Sequence, residues 1–159
     1  MRLDYFQLID RIVDLNLAER SISCEAVVPA ENESTIFQGH FPGYPLMPGV
    51  LLIESMAQTS GWLVVAVNQF KRMPFLAQVK DAKFRTFVTP SQKLVVTAKL
   101  AHEGSGYAVT NAKVTLAGKP VCDASLTLRV LDFPNDEMSQ KMRETAARIG
   151  FPNEVAING

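Results

Sequence analysis

The chain has 159 residues, of which 47% are hydrophobic and 20% are charged, and its formal net charge at pH 7 is zero. A balanced charge argues against a nucleic-acid-binding protein, because such proteins usually carry a basic excess. The length suits one domain with a sizeable hydrophobic core. We therefore predict a single domain over residues 1–159, with its core at about 10–131 and a helical extension at about 135–150.

The two cysteines, Cys24 and Cys122, each lie in a strand-like segment and fall in no metal-binding spacing. We therefore expect buried free thiols and no metal site. The first residues are polar and acidic, unlike the basic and then apolar start of a secretion signal. This difference favours a cytoplasmic protein.

The first third of the chain contains short elements. Residues 3–9 favour a short helix, and residues 11–15 and 21–28 favour strands, the second of which alternates between polar and apolar side chains. Residues 29–35 are polar and predict a loop.

Residues 37–58 combine a proline-rich loop with the start of a long apolar helix, which we predict from about Gly49 to Phe70. The 18-residue segment 50–67 is long enough to cross a membrane. However, Glu54 and Gln58 lie inside it, and a charged group is costly in lipid. We therefore predict a helix buried on all sides within the protein, and no insertion into a membrane.

Four further strands are predicted after the helix, over residues 75–88, 93–102, 107–116 and 121–131. Short polar turns separate the last three, which indicates an antiparallel sheet. Because this sheet must cover an apolar helix, we expect it to curve. The prediction is an α+β fold, in which one curved antiparallel sheet wraps around a long central helix.

A second helix is predicted after the sheet. Asn135 is a suitable N-cap, Gly150 is a suitable stop, and an apolar stripe runs between them. The stripe consists of Met138, Met142, Ala146 and Ile149. We expect the last residues, 151–159, to be loosely held.

The segment from Gly39 to Gln58 resembles the signature of the β-hydroxyacyl-[acyl-carrier-protein] dehydratases of the FabZ and FabA type, which reads G-H-F-P-x-x-P-x-x-P-G-V-L-x-x-E-x-x-A-Q. Every fixed position is present. Residues 83–94 resemble the strand and turn that follow in that family, and the resemblance covers about residues 10–131. It implies the hot-dog fold, a homodimer with two shared active sites, and in some members a hexamer.

The sequence departs from the family pattern in three places. The usual N-terminal H-R-x-P-F run is absent, Pro90-Ser91 replaces a Pro-Gly pair, and the helix after residue 134 extends beyond the usual end. These departures leave chain-length preference and higher assembly open. They do not touch the residues that would carry the chemistry.

The resemblance implies a cofactor-free dehydration of a 3-hydroxyacyl thioester that is carried by an acyl carrier protein. This reaction needs a base for the α-proton, for which we assign His40, because an imidazole titrates near neutral pH. It also needs an acid for the departing hydroxyl, for which we assign Glu54. Gln58, one helical turn later, would orient Glu54. The backbone N–H groups of Gly49 and Val50 would bind the thioester oxygen.

The resemblance also implies that the His and the Glu of one site come from different subunits. Glu54 favours the FabZ branch, since FabA-type members have Asp there. Tyr44, Phe84 and Phe87 are candidates for an acyl tunnel, although core packing explains them equally well. Lys83 and Arg85 are candidates for contact with the acidic carrier protein.

Two alternative functions stay open at this point. One is a hot-dog acyl thioesterase, and the other is a non-catalytic acyl-binding subunit of a synthase. The acyl chain length, a specialisation for very long or lipid A acyl groups, the identity of the carrier, the choice between dimer and hexamer, and the role of the C-terminal helix are likewise open.

Overall fold

The computed structural model describes residues 1–153. The predicted loose segment 151–159 therefore lies largely outside the described residues.

One antiparallel sheet of six strands is the frame of the molecule. The strands are β1 (Arg11–Asn16), β2 (Ser21–Val27), β3 (Met73–Phe84), β4 (Lys93–Gly104), β5 (Tyr107–Leu116) and β6 (Lys119–Leu131). Their order in the sheet is β1-β2-β4-β5-β6-β3, and every neighbouring pair is antiparallel. β1 and β3 are consequently the two edges.

The long helix α2 (Gly49–Val67) lies in the concavity of this sheet. It contacts β2, β3, β4, β5 and β6, which shows that the sheet curves around it. Leu52, Met56 and Leu63 are buried in the main hydrophobic core. The buried hydroxyl of Thr110 in β5 donates to Ser60 Oγ at 2.7 Å, which ties the helix to the sheet. The prediction of an α+β fold with a wrapped central helix is confirmed.

The helix differs from its prediction in length and in burial. It ends at Val67, not Phe70, because Gln69 and Phe70 both have positive φ angles and turn the chain. It is also not buried on all sides, since Val50 is exposed and Glu54, Gln58 and Gly61 are only half-buried. These four residues are spaced by four, four and three positions, and therefore form one stripe along the helix. The helix is long and apolar enough to cross a membrane, but 61% of an 18-residue window is buried within the protein, as in the core helix of a soluble fold.

Besides shifts of one or two residues at strand ends, three larger differences from the predictions occur. A short helix, α1 (Ile36–Gly39), occupies the start of the predicted proline-rich loop. The N-terminal helix is reduced to one 3₁₀ turn, Leu3–Tyr5. β3 ends at Phe84 instead of residue 88, because the chain then turns inward and the carbonyl of the buried Val88 accepts from Met47 N at 2.8 Å.

The C-terminal helix α3 (Asp136–Arg148) has the predicted N-cap, since Asn135 Oδ1 accepts from Met138 N at 2.8 Å. Its end is held more firmly than we expected. Ile149 and Phe151 are buried, so the prediction of a loose end is wrong for Phe151.

Candidate active site

The loop after α1 fixes the orientation of His40. The backbone N–H of His40 donates to Ile36 O at 2.9 Å, and its carbonyl accepts from Leu46 N at 2.8 Å. The ring atom Nδ1 lies 2.9 Å from Leu46 O. A carbonyl oxygen only accepts, so Nδ1 is the donor, and in the neutral imidazole Nε2 carries a free lone pair. The imidazole also stacks on Phe41, with ring centroids 4.0 Å apart.

Glu54 lies on the partly exposed stripe of α2 that consists of Val50, Glu54, Gln58 and Gly61, and it accepts a hydrogen bond from Gln58. Gln58 Nε2 donates to Glu54 Oε1 at 3.2 Å and to Phe6 O at 2.8 Å, while Gln58 Oε1 accepts from Leu8 N at 3.0 Å. Both ends of the amide are therefore used, and its orientation is fixed. The adjacent Ser55 adds a further bond from its Oγ to Leu8 O at 3.1 Å.

The role of the N-terminal segment was missed by the sequence reasoning. Residues 6–8 act through backbone N–H and C=O groups. These groups are present whatever the side chain is, so no residue pattern identifies this segment. A signal was available in the polar residues of this mostly apolar helix, among them Ser55 and Gln58, because buried polar groups need partners.

The first turn of α2 leaves two amides available. Within residues 1–153, the N–H groups of Gly49 and Val50 donate to no acceptor, and Pro48 provides no side-chain cap. The ring of Phe84 lies over this turn, because a Cβ built on Gly49 would come within 2.9 Å of Phe84 Cε1. Donors at a helix N-terminus suit an oxygen that gains negative charge.

A cavity of about 570 Å³ opens beside Glu54. Its lining comes from the N-terminal segment, the open stripe of α2, the start of β3, β6 and α3. The lining residues are Arg2, Tyr5, Phe6, Gln7, Ile9, Glu54, Ala57, Gln58, Gly61, Trp62, Met73, Pro74, Leu76, Leu128, Met142, Thr145 and Arg148. The size is that of a small-molecule site.

The two assigned catalytic side chains share neither a cavity nor a hydrogen bond within residues 1–153. His40 does not line the cavity that contains Glu54, and within residues 1–153 no hydrogen bond or ion pair joins them. Glu54 and Gln58 do meet, as expected from their spacing.

The candidate tunnel and carrier residues lie outside this cavity. Tyr44, Phe84 and Phe87 are all exposed, and their role in a tunnel stays a prediction. Lys83 is exposed, whereas Arg85 forms an ion pair with Asp123 at 2.6 Å. In the described part of the chain, no group of three or more His, Cys, Asp or Glu side chains could hold a metal ion.

A family model described as the FabA-like domain matches residues 2–125. The 3-hydroxyacyl-[acyl-carrier-protein] dehydratase FabZ of Latilactobacillus sakei is 40% identical over 121 residues, which cover 76% of this chain and 84% of that enzyme. The FabZ dehydratase of Lactococcus lactis is 39% identical over 77% of this chain and 83% of that enzyme. The chain belongs to the FabZ dehydratase family. A bifunctional LpxC/FabZ enzyme of Chlorobaculum tepidum is also 39% identical, but the match spans only 28% of its length.

Solved structures show that this FabZ-family chain has the hot-dog fold. A hypothetical thioesterase with coenzyme A from Streptococcus pneumoniae superposes with a TM-score of 0.61 and 17% identity, over 79% of this chain and 88% of that one. A conserved protein from Pseudomonas aeruginosa gives a TM-score of 0.60 and 19% identity, over 76% of this chain and 87% of that one. At this identity the likeness concerns the fold alone.

Proposed function

We propose that the protein is a 3-hydroxyacyl-[acyl-carrier-protein] dehydratase, which reversibly eliminates water from a 3-hydroxyacyl thioester and gives the trans-2-enoyl thioester. The observation that carries this proposal is the fixed carboxyl of Glu54 at the edge of the 570 Å³ cavity. It belongs to a signature that is complete from Gly39 to Gln58.

The proposed reaction uses two proton transfers. His40 Nε2 takes the α-proton, which its Nδ1 bond to Leu46 O leaves it free to accept. Protonated Glu54 gives its proton to the departing hydroxyl, which leaves as water. The electron pair of the broken C–H bond forms the new double bond, and the charge that develops on the thioester oxygen is stabilised by the amides of Gly49 and Val50.

We further propose that the active protein is a homodimer in which His40 of one subunit faces Glu54 of the other. This arrangement is supported by the absence of His40 from the lining of the cavity that contains Glu54. It is also supported by the edge strand β3, where Phe75, Leu76 and Val79 are exposed. A hexamer built from such dimers is compatible with this edge pairing.

The substrate carrier is proposed to be an acyl carrier protein in the cytoplasm. Lys83 is the better candidate for contact with its acidic surface, because Arg85 is already paired with Asp123. Such steering would change the rate of encounter more than the chemical step.

Hydration of a trans-2-butenoyl thioester, followed as loss of enoyl absorbance, tests the proposal. We expect activity in the wild type and a loss of about 10²- to 10⁴-fold in His40→Ala and in Glu54→Gln. Matched controls are His102→Ala and Glu103→Gln, which change the other histidine and an exposed acid on β4. A wild type that releases free thiol but never hydrates enoyl thioesters of any length would be a thioesterase instead.

A further inference from the structure

The C-terminal helix is anchored to the core at its far end. Ile12 N in β1 donates to Ile149 O at 2.7 Å. The ring of Phe151 packs edge-on against Trp62, with centroids 6.0 Å apart, and against Phe70 at 5.0 Å. These contacts hold α3 beside the second half of α2, so that α3 is a fixed part of the domain.

In this position α3 forms one wall of the cavity that begins at Glu54. Met142, Thr145 and Arg148 follow one another at intervals of three residues, and all three line it. β3 and β6 contribute an apolar part of the lining, with Met73, Pro74, Leu76 and Leu128. The cavity therefore exists in its present form only because the chain continues past β6.

The chemistry of the lining changes along the cavity. Glu54 and Gln58 provide polar groups, whereas Trp62 lies eight residues beyond Glu54, which is about 12 Å along the helix axis. The rest of the lining near this end of the helix combines the apolar Met73, Pro74, Leu76, Leu128 and Met142 with the polar Thr145 and Arg148 of α3. A polar reacting end with a largely apolar continuation matches an acyl thioester, whose carbonyl end would lie at Glu54.

We propose that α3 forms a wall of the acyl-chain pocket and that Met142 determines how long an acyl chain the enzyme accepts. The inference rests on the dehydratase proposal for the identity of the reacting group. A four-carbon substrate would end near Glu54 and not reach α3. A chain of about twelve carbons would extend past Trp62 and lie against Met142, whose unbranched side chain adapts to a flexible ligand.

A binding experiment tests the pocket without using catalysis. Trp62 is the only tryptophan in the chain, so its fluorescence reports on the pocket directly. The probe is an undecanoyl-pantetheine with bromine on its last carbon, and the unbrominated compound is the reference. We expect saturable quenching by the brominated probe only. Absence of quenching at saturation would overturn the proposal, because the chain would then bind elsewhere.

Substitution of Met142 tests the specificity. Met142→Phe narrows the pocket, and we expect kcat/KM for a twelve-carbon 3-hydroxyacyl carrier substrate to fall by about tenfold, with a change below about twofold for the four-carbon substrate. Its matched control is Met138→Phe, which makes the same exchange one turn earlier on the same stripe but outside the cavity lining. The brominated probe should still quench Trp62 fluorescence in both variants. Only Met142→Phe should bind the probe more weakly than the wild type does.

The possible outcomes separate the two proposals. If the wild type quenches but hydrates no enoyl thioester, the dehydratase proposal fails while the pocket assignment stands. If Met142→Phe lowers kcat/KM equally for the four-carbon and the twelve-carbon substrate, or lowers it for neither, the role of Met142 in specificity is refuted. Should Met142→Phe fail to fold, Met142→Ala serves instead: it enlarges the pocket, and it must raise the preference for the longer substrate or the role of Met142 is refuted.

Discussion

At the scale of single residues, Gln58 links the candidate acid to the N-terminal segment. Its amide joins the carboxyl of Glu54 to the backbone of Phe6 and Leu8. Spacing predicted the contact with Glu54, because residues four apart share a helix face. The backbone partners could not be predicted, since they depend on the path of a segment that lies fifty residues earlier.

Gln58→Ala should affect both stability and catalysis. It leaves the Leu8 amide without its acceptor, and we expect the free energy of unfolding to fall by about 1–3 kcal/mol. Glu54 would lose its orienting donor, so kcat should fall with little change in KM. Urea unfolding and steady-state kinetics measure the two effects. Gln140→Ala removes a comparable side-chain hydrogen bond, from the Gln140 amide to Glu144 on the exposed face of α3. It should change neither the free energy of unfolding nor kcat. Full activity in Gln58→Ala would show that Glu54 needs no orientation.

The two cysteines should be inert in the folded protein. Burial raises the pKa of Cys24 to about 12 and that of Cys122 to about 11, from an ordinary pKa of 9.0. The unfolded chain therefore loses these protons at lower pH, and the stability that depends on the neutral thiols is complete below pH 9.0 and is lost as the pH rises toward 12. A thiol reagent at pH 8 should label the native protein slowly and the urea-unfolded chain rapidly. Rapid labelling of the native protein would contradict the assigned burial.

At the scale of elements, periodicity predicted every strand and both long helices, but not where they end or what covers them. The composition of α2 predicted burial on all sides, which is wrong for the stripe of Val50, Glu54, Gln58 and Gly61. An apolar residue in the sequence does not indicate whether its side chain is buried by the same chain, by a second subunit or by a substrate. The partly open stripe is the part of the helix that carries the proposed chemistry.

The two edge strands of the sheet differ in whether their outer side is covered. β1 is partly covered, because Ile12 N donates to Ile149 O, whereas β3 has no hydrogen-bonded strand on its outer side within residues 1–153. An exposed apolar edge favours pairing with another strand. We infer that β3 is where two copies meet.

A charge on the β3 edge should therefore separate the subunits. Val79→Asp places a carboxylate among the exposed apolar side chains of β3, and we expect a monomer with little activity, because each site would lose one of its two catalytic residues. Light scattering coupled to gel filtration measures the mass. Val13→Asp makes the same exchange on the β1 edge, at a similarly exposed valine, and should leave mass and activity unchanged. A dimeric Val79→Asp protein would exclude this edge.

At the scale of the whole molecule, the signature predicted the residues of the candidate site but not its three-dimensional form. Glu54 and Gln58 meet because local helical geometry requires it. His40 lies on a separate loop and does not line the Glu54 cavity, which the spacing of the signature does not reveal. The role of α3 depends on long-range packing of Phe151 on Trp62, for which no local pattern is diagnostic.

The central claim is that two chains complete each active site, and subunit mixing tests it directly. His40→Ala and Glu54→Gln chains, each inactive alone, are refolded together in equal amounts. A mixed dimer then holds one site with both changes and one intact site, so random pairing predicts about one quarter of the wild-type activity. No recovery, with mixed dimers present by mass spectrometry, would contradict the account and would mean that His40 and Glu54 act within the same chain.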